Sequence, residues 1–168
     1  ITQNFSSFIY SFAAASGNQI LIYNNQGFDG NTSAQVLARV DDVPEETDIV
    51  TLMCTTNDVS QGVTIEDHTT NIIAIVAALR SKGFEVIALM APPRDDTLAE
   101  AVTTDIFNKT DYITYLKLGV PYFDPFRLLA DPLDGTWVAG ASDDGTHPNA
   151  NAEFLVGNNL WSDYKNKA

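Results

Sequence analysis

Asp144 and His147 stand three residues apart in the stretch DDGTHPN, Asp143 to Asn149. A carboxylate one turn of chain before an imidazole can orient the ring, fix its tautomer and stabilise it when it takes a proton; this pairing activates a hydroxyl nucleophile. Two further stretches offer groups that could stabilise an oxyanion. NQGFDGNT holds Gly27 and Gly30, which permit a tight turn and close backbone approach, and TTND holds the side-chain amide of Asn57 beside Asp58. One well-aimed donor contributes about 3 to 4 kcal/mol of transition-state stabilisation. Each feature alone has an ordinary reading: Asn-Asp after a strand is commonly a turn or cap, Gly-rich turns are commonly structural, and a lone Asp-x-x-His is commonly a surface loop. Their joint order along the chain is what gives them weight.

The elements that would position them alternate between short apolar runs and helical patterns, the signature of β-α-β units around a parallel sheet. QILIYN (Gln19 to Asn24), DIVTLMC (Asp48 to Cys54) and EVIALMAPP (Glu85 to Pro93) read as strands, and PYFDPF as a short last one. Ile65, Ile72, Ile73, Val76 and Leu79 recur at helical spacing before Gly83, which predicts a helix over 65 to 82. Further helices are expected over Asn4 to Ala15, Ser33 to Arg39, Leu98 to Leu118 with a break near Lys109, and Asn151 to Tyr164. In an open α/β sheet, ligands bind beyond the carboxyl ends of the strands, and all three polar stretches fall there. No repeat, linker or second domain is visible, so residues 1–168 read as one domain.

Composition narrows the partners. The net charge is -13 with nine Lys and Arg in 168 residues, which argues against nucleic acid and against an anionic membrane surface. No apolar run approaches the roughly 20 residues that span a bilayer. The single cysteine, Cys54, lies in an apolar run and reads as a buried thiol. His68 has no second histidine or cysteine at ligand spacing, so a solvated or capping role is expected, not metal binding. Arg94, in PPRDD, could touch substrate but reads more readily as an exposed loop ion pair. Trp137 could shield a site or pack in the core.

Taken together, NQGFDGNT, TTND and DGTHPN resemble the second, third and fifth sequence blocks of the SGNH (GDSL-type) hydrolases, a family of esterases, lipases and carbohydrate acetylesterases. The resemblance spans nearly the whole chain. It implies a flavodoxin-like three-layer α/β/α sandwich with a mainly parallel sheet. By the same resemblance His147 is the general base, Asp144 orients it, and the Gly27 backbone N–H with the Asn57 amide forms the oxyanion hole. Asp58 would support the loop. No cofactor is implied, and no G-x-G-x-x-G follows a strand to suggest a nucleotide.

Two departures from the family stand out. Thr55 occupies the place where the third block usually opens with glycine, and the Gly-Asp-Ser block that ends the first strand in the family is absent. ITQNFSSF looks like the stretch that follows such a serine, so a preceding segment is expected to supply the first strand and the nucleophile. Ser6 and Ser7 are poor substitutes, since both fall on the expected first helix. The implied activity is a serine esterase acting on small acyl esters such as O-acetyl groups on a carbohydrate, in an extracellular or virion-associated setting. The alternatives are a catalytically inactive carbohydrate-binding or adhesion module on the same fold, and an O-acyltransferase.

Overall fold

A computed structural model describes residues 8–22, 24–95 and 97–166. Its centre is a three-stranded parallel sheet in the order β1 (Ile49–Leu52), β2 (Glu85–Leu89), β3 (Tyr122–Phe123). Ile49 pairs with Glu85 and Leu52 with Ala88 across the first junction, and Ala88 with Tyr122 across the second. The strand period of two divides the core. Val86, Ala88 and Met90 face one apolar layer, with Ile72, Ile75, Val76 and Leu79; Ile87 and Leu89 face the other, with Phe12, Val156 and Leu160. Helices α4 (Ile65–Ser81) and α5 (Leu98–Leu118) cover the first face, and α1 (Phe8–Ala15) and α7 (Ala150–Lys165) the second. The result is the three-layer parallel sandwich expected from the sequence.

Local chemistry sets the helix ends. Thr64 accepts from the Asp67 amide at the start of α4, Thr97 from Glu100 at the start of α5, and Asn149 from Ala152 at the start of α7. The α4 helix stops one residue before its Lys82 cap, and Gly83 follows at φ 90°, the left-handed geometry that glycine adopts without Cβ strain. The break expected near Lys109 is absent: α5 runs unbroken to Leu118. Short helix α2 (Ser33–Leu37) follows the first polar stretch, α3 (Thr55–Ser60) contains the second, and α6 (Phe126–Leu129) follows β3. Among the described residues no helix is long and apolar enough to cross a membrane.

Helices α1 and α7 approach closely at Gly157. A Cβ there would lie 2.5 Å from the Phe8 carbonyl oxygen and the Ser11 Cβ, and 2.6 Å from the Phe12 nitrogen. Backbone cannot yield as a flexible side chain can, so Gly157→Ala is expected to push α1 off the second core and cost about 1 to 3 kcal/mol. A urea midpoint equal to that of the unaltered protein would refute this.

One strand expectation fails. Among the described residues of 19–24 none is in a strand, and Leu21 is 80% exposed. A strand is defined by a partner edge, and none pairs with this segment among the described residues. The described strands give β1 a neighbour on one side only, and along its other side runs a trough of about 700 Å³. Ile20 and Leu21 line the far wall, Ile49 to Leu52 the near wall, and Phe8, Ile9 and Phe12 of α1 another side. This is far larger than the voids of a packed core.

Candidate active site

The loop before α7 is built by its own hydrogen bonds. Asp144 Oδ1 accepts from the Thr146 amide at 2.9 Å and from the His147 amide at 2.8 Å, while its Oδ2 lies 2.8 Å from His147 Nδ1. Gly145, at φ 78°, makes the reversal that brings both amides onto one carboxylate. The loop is tied down by the Gly145 carbonyl, which accepts from the Trp137 indole N–H and from the Asp95 amide, each at 2.9 Å. Bonds from the His147 ring and from the two amides hold the Asp144 carboxyl well below the usual carboxylate range. With Nδ1 committed to a carboxylate, the neutral ring carries its proton there and presents Nε2 as the acceptor. Nε2 has no partner among the described residues, and the His147 side chain is 72% exposed.

The other candidate residues lie at the carboxyl end of β1, along a trough whose lining includes Gly27 and Asn57 but not Asp144 or His147. Asn57, half-buried on α3, donates through Nδ2 to the Asn31 carbonyl at 3.0 Å, which leaves its second N–H for another acceptor. Asp58 accepts the Ser33 amide at 2.7 Å and so fixes the first turn of α2. Arg39 gathers the loop between, donating to the Gln26 carbonyl and to Asn31 Oδ1 while stacking 3.9 Å over the Phe28 ring. Gly27 and Asn57 line the same trough, beside Asn25 and Asn31. The Gly27 N–H donates to Asn25 Oδ1 at 2.9 Å, so here it is engaged within its own turn.

Arg94 and Asp95 link α3 to the histidine loop. Arg94, 5% exposed, donates to the Thr56 carbonyl and the Ser60 hydroxyl of α3 and pairs with Glu100, while the next residue holds Gly145 of the histidine loop. The exposed ion pair expected for Arg94 is therefore a buried strut beyond β2. Trp137 is a core residue, 8% exposed, that also steadies the loop. Ser6 and Ser7 lie outside the described residues.

His68 departs most from expectation. It is fully buried, with Nδ1 2.7 Å from Asp58 Oδ2 and Nε2 2.8 Å from Asp111 Oδ1. Thr55 donates to the second Asp111 oxygen at 2.8 Å. The cluster pins α3, the helix that carries Asn57, to α4 and α5. Its trace in the sequence was position: His68 precedes Ile72, Ile75 and Leu79 on the inward stripe of α4, where a solvated side chain has no room. Cys54 is buried as expected, and burial raises its thiol well above the ordinary range, so it is inert.

A model of the GDSL-like lipase/acylhydrolase family matches residues 3–153. The chain belongs to that family. Solved structures with the same fold include a lipolytic protein of the G-D-S-L family from Desulfitobacterium hafniense, at TM-score 0.83 and 18% identity over 96% of this chain and 90% of that one. An esterase from a Pseudoalteromonas species gives 0.73 and 19%, over 98% and 89%. A carbohydrate acetylesterase from Sinorhizobium meliloti gives 0.75 and 14%, over 98% and 86%. No curated protein matches the sequence. Membership of the family makes the chain an ester hydrolase by class, and the three-layer parallel fold is the one its structural neighbours share.

Proposed function

We propose that the protein is a serine esterase that removes small acyl groups, O-acetyl on a carbohydrate in particular, and that its nucleophile arrives on a segment preceding Ile1. The observation that carries the reading is the Asp144–His147 pair, with Nδ1 held on a carboxylate and Nε2 open to a hydroxyl. His147 takes the serine proton as the oxygen attacks the ester carbonyl, and returns it to the leaving alcohol. Water, deprotonated by the same ring, then attacks the acyl-enzyme, and the acid leaves with the serine hydroxyl restored. Asn57 supplies one oxyanion donor. Gly27 supplies a second once the Asn25 side chain releases its amide.

Support for such a segment comes from the trough. An extended segment laid beside β1 would satisfy the edge that has no partner among the described strands, cover the apolar walls and end near Asn57 and Gly27. Support for a sugar substrate comes from the amide-rich mouth, where Asn24, Asn25, Gln26, Asn31 and Asn57 offer paired donors and acceptors to hydroxyl groups, and by analogy from the acetylesterase neighbour. One observation favours an inactive binding module instead, namely the engaged Gly27 amide. Treating the polypeptide that includes the residues before Ile1 with an alkyl phosphonate ester decides between them. The expected result is a phosphonyl mass on one upstream serine, with loss of p-nitrophenyl acetate turnover; an unlabelled protein without turnover overturns the esterase.

A further inference from the structure

Asn57 lies between two anchored residues. Thr55, two positions before it, donates to Asp111 Oδ2 at 2.8 Å, and Asp58, the next residue, lies 2.7 Å from His68 Nδ1. His68 Nε2 closes the chain on Asp111 Oδ1 at 2.8 Å. The acceptor that Asn57 uses is tied to the same chain. Asp58 takes the Ser33 amide, and Ser33 follows by two residues the Asn31 carbonyl that accepts from Asn57 Nδ2. Ser33, Thr55, Asp58, His68 and Asp111 are each 0 or 1% exposed, so bulk water does not replace a lost partner.

We propose that His68 is a positioning residue for catalysis: its imidazolium, shared between α3 and α5, sets the aim of the Asn57 amide, and turnover falls when the ring becomes neutral. The role rests on the esterase reading, in which Asn57 is an oxyanion donor. An imidazolium donates from both nitrogens and a neutral ring from one, so the loss of a proton leaves one carboxylate facing a lone pair at hydrogen-bond distance. If Asp111 yields, Thr55 loses its acceptor. If Asp58 yields, α3 shifts and the Ser33 amide with it. Asn57 moves in either case, because it stands between the two. Arg94, bonded to the Thr56 carbonyl and the Ser60 hydroxyl, does not depend on the ring, so α3 is re-aimed and not released. Burial favours the neutral ring, but the hydrogen bonds to Asp111 and Asp58 outweigh it and raise the pKa to about 9. Cys54 at the end of β1 and Tyr115 of α5 adjoin the same carboxylates. Burial, and then the Asp111 charge, raises both well above their ordinary ranges. Phe107 covers the ring, with centroids 4.9 Å apart. Of these groups the imidazole is the one that changes charge on mild alkalinisation.

The test uses the polypeptide that includes the residues before Ile1, from about pH 7 to about pH 10.5, with circular dichroism confirming the folded state and uncatalysed hydrolysis subtracted. The kcat for p-nitrophenyl acetate should fall by about 10²-fold, the effect of one lost oxyanion donor, while KM changes less than about twofold. In ¹⁵N-labelled protein the Asn57 side-chain amide resonances should move with the same midpoint as the His68 ring. His68→Ala removes a buried cation and can fail to fold, so Asp111→Asn is the second variant. Its amide can donate to a neutral ring, the ring N–H then stays on Asp58, and Thr55 donates to the amide oxygen, so no partner is stranded. Both the alkaline fall and the Asn57 movement should be absent from it. A ring that stays protonated to about pH 10.5, Asn57 resonances that stand still while the ring titrates, a kcat that does not fall in the folded protein, or a fall that Asp111→Asn shares would each overturn the proposal. Absence of turnover at every pH would instead sink the esterase reading, and the Asn57 resonances would still decide whether His68 positions that amide.

Discussion

Replacing His68 by alanine is expected to destabilise the protein by about 3 to 5 kcal/mol, because it strips the cation from between two buried carboxylates. Burial by itself would push the imidazole pKa down. The hydrogen bonds to Asp111 and Asp58, and then their charges, outweigh burial and raise it to about 9. At neutral pH the ring is therefore an imidazolium donating from both nitrogens. For Asp58 burial is again the largest influence and acts upward, yet the bonds from His68 and Ser33 win and its carboxyl lies below the ordinary range. The remaining acceptor positions are used by Thr55 and the Ser33 amide, so the cluster has no spare polar atom to turn toward water.

The sign of the pH dependence follows. A histidine raised from 6.5 to about 9 stabilises the fold fully below 6.5, and that contribution is lost as pH rises through 9. The difference is worth roughly 3 kcal/mol. Asp58 works in the opposite direction, stabilising above the unfolded carboxylate range and losing its contribution as pH falls through its lowered value. Urea titrations at pH 7 and at about pH 10 are the check: the unaltered protein should lose stability between them that His68→Ala does not lose. If the two lose equally, or if the variant at pH 7 lies within about 1 kcal/mol of the parent, the buried imidazolium is the wrong description.

What could be read in the sequence follows the range of the interactions. The Asp144–His147 pair was legible because its hydrogen bonds span three residues and close within one loop. Helix α4 was legible because its inward stripe and its Gly83 stop are both local patterns. Gln19 to Asn24 has the composition of a strand, yet strand formation is a property of a pair of segments, and β1 is separated from it by the trough. His68 failed for the same reason: its partners are ten and forty-three residues away, and nothing near it in sequence reports that two carboxylates will meet there. Arg94 was judged by its exposed-looking neighbours, whereas its place beyond β2 draws it beneath α3.

The second large effect is on turnover. In the polypeptide that carries the nucleophile, His147→Ala is expected to lower kcat for p-nitrophenyl acetate by about 10⁴- to 10⁶-fold, leaving only what oxyanion donors and binding supply. Stability should hardly change, since the ring is largely exposed and its loop is held independently by the Asp144 bonds to the Thr146 amide and by the two donors on the Gly145 carbonyl. Asp144→Asn should fall nearly as far, because an amide can accept at Nδ1–H only weakly and cannot stabilise the imidazolium. The Asp144 carboxyl, held well below its usual range, stays ionised through any pH at which the protein is assayed, so the pair keeps its orienting charge throughout. Turnover that survived His147→Ala within about tenfold would assign the proton transfer to another residue.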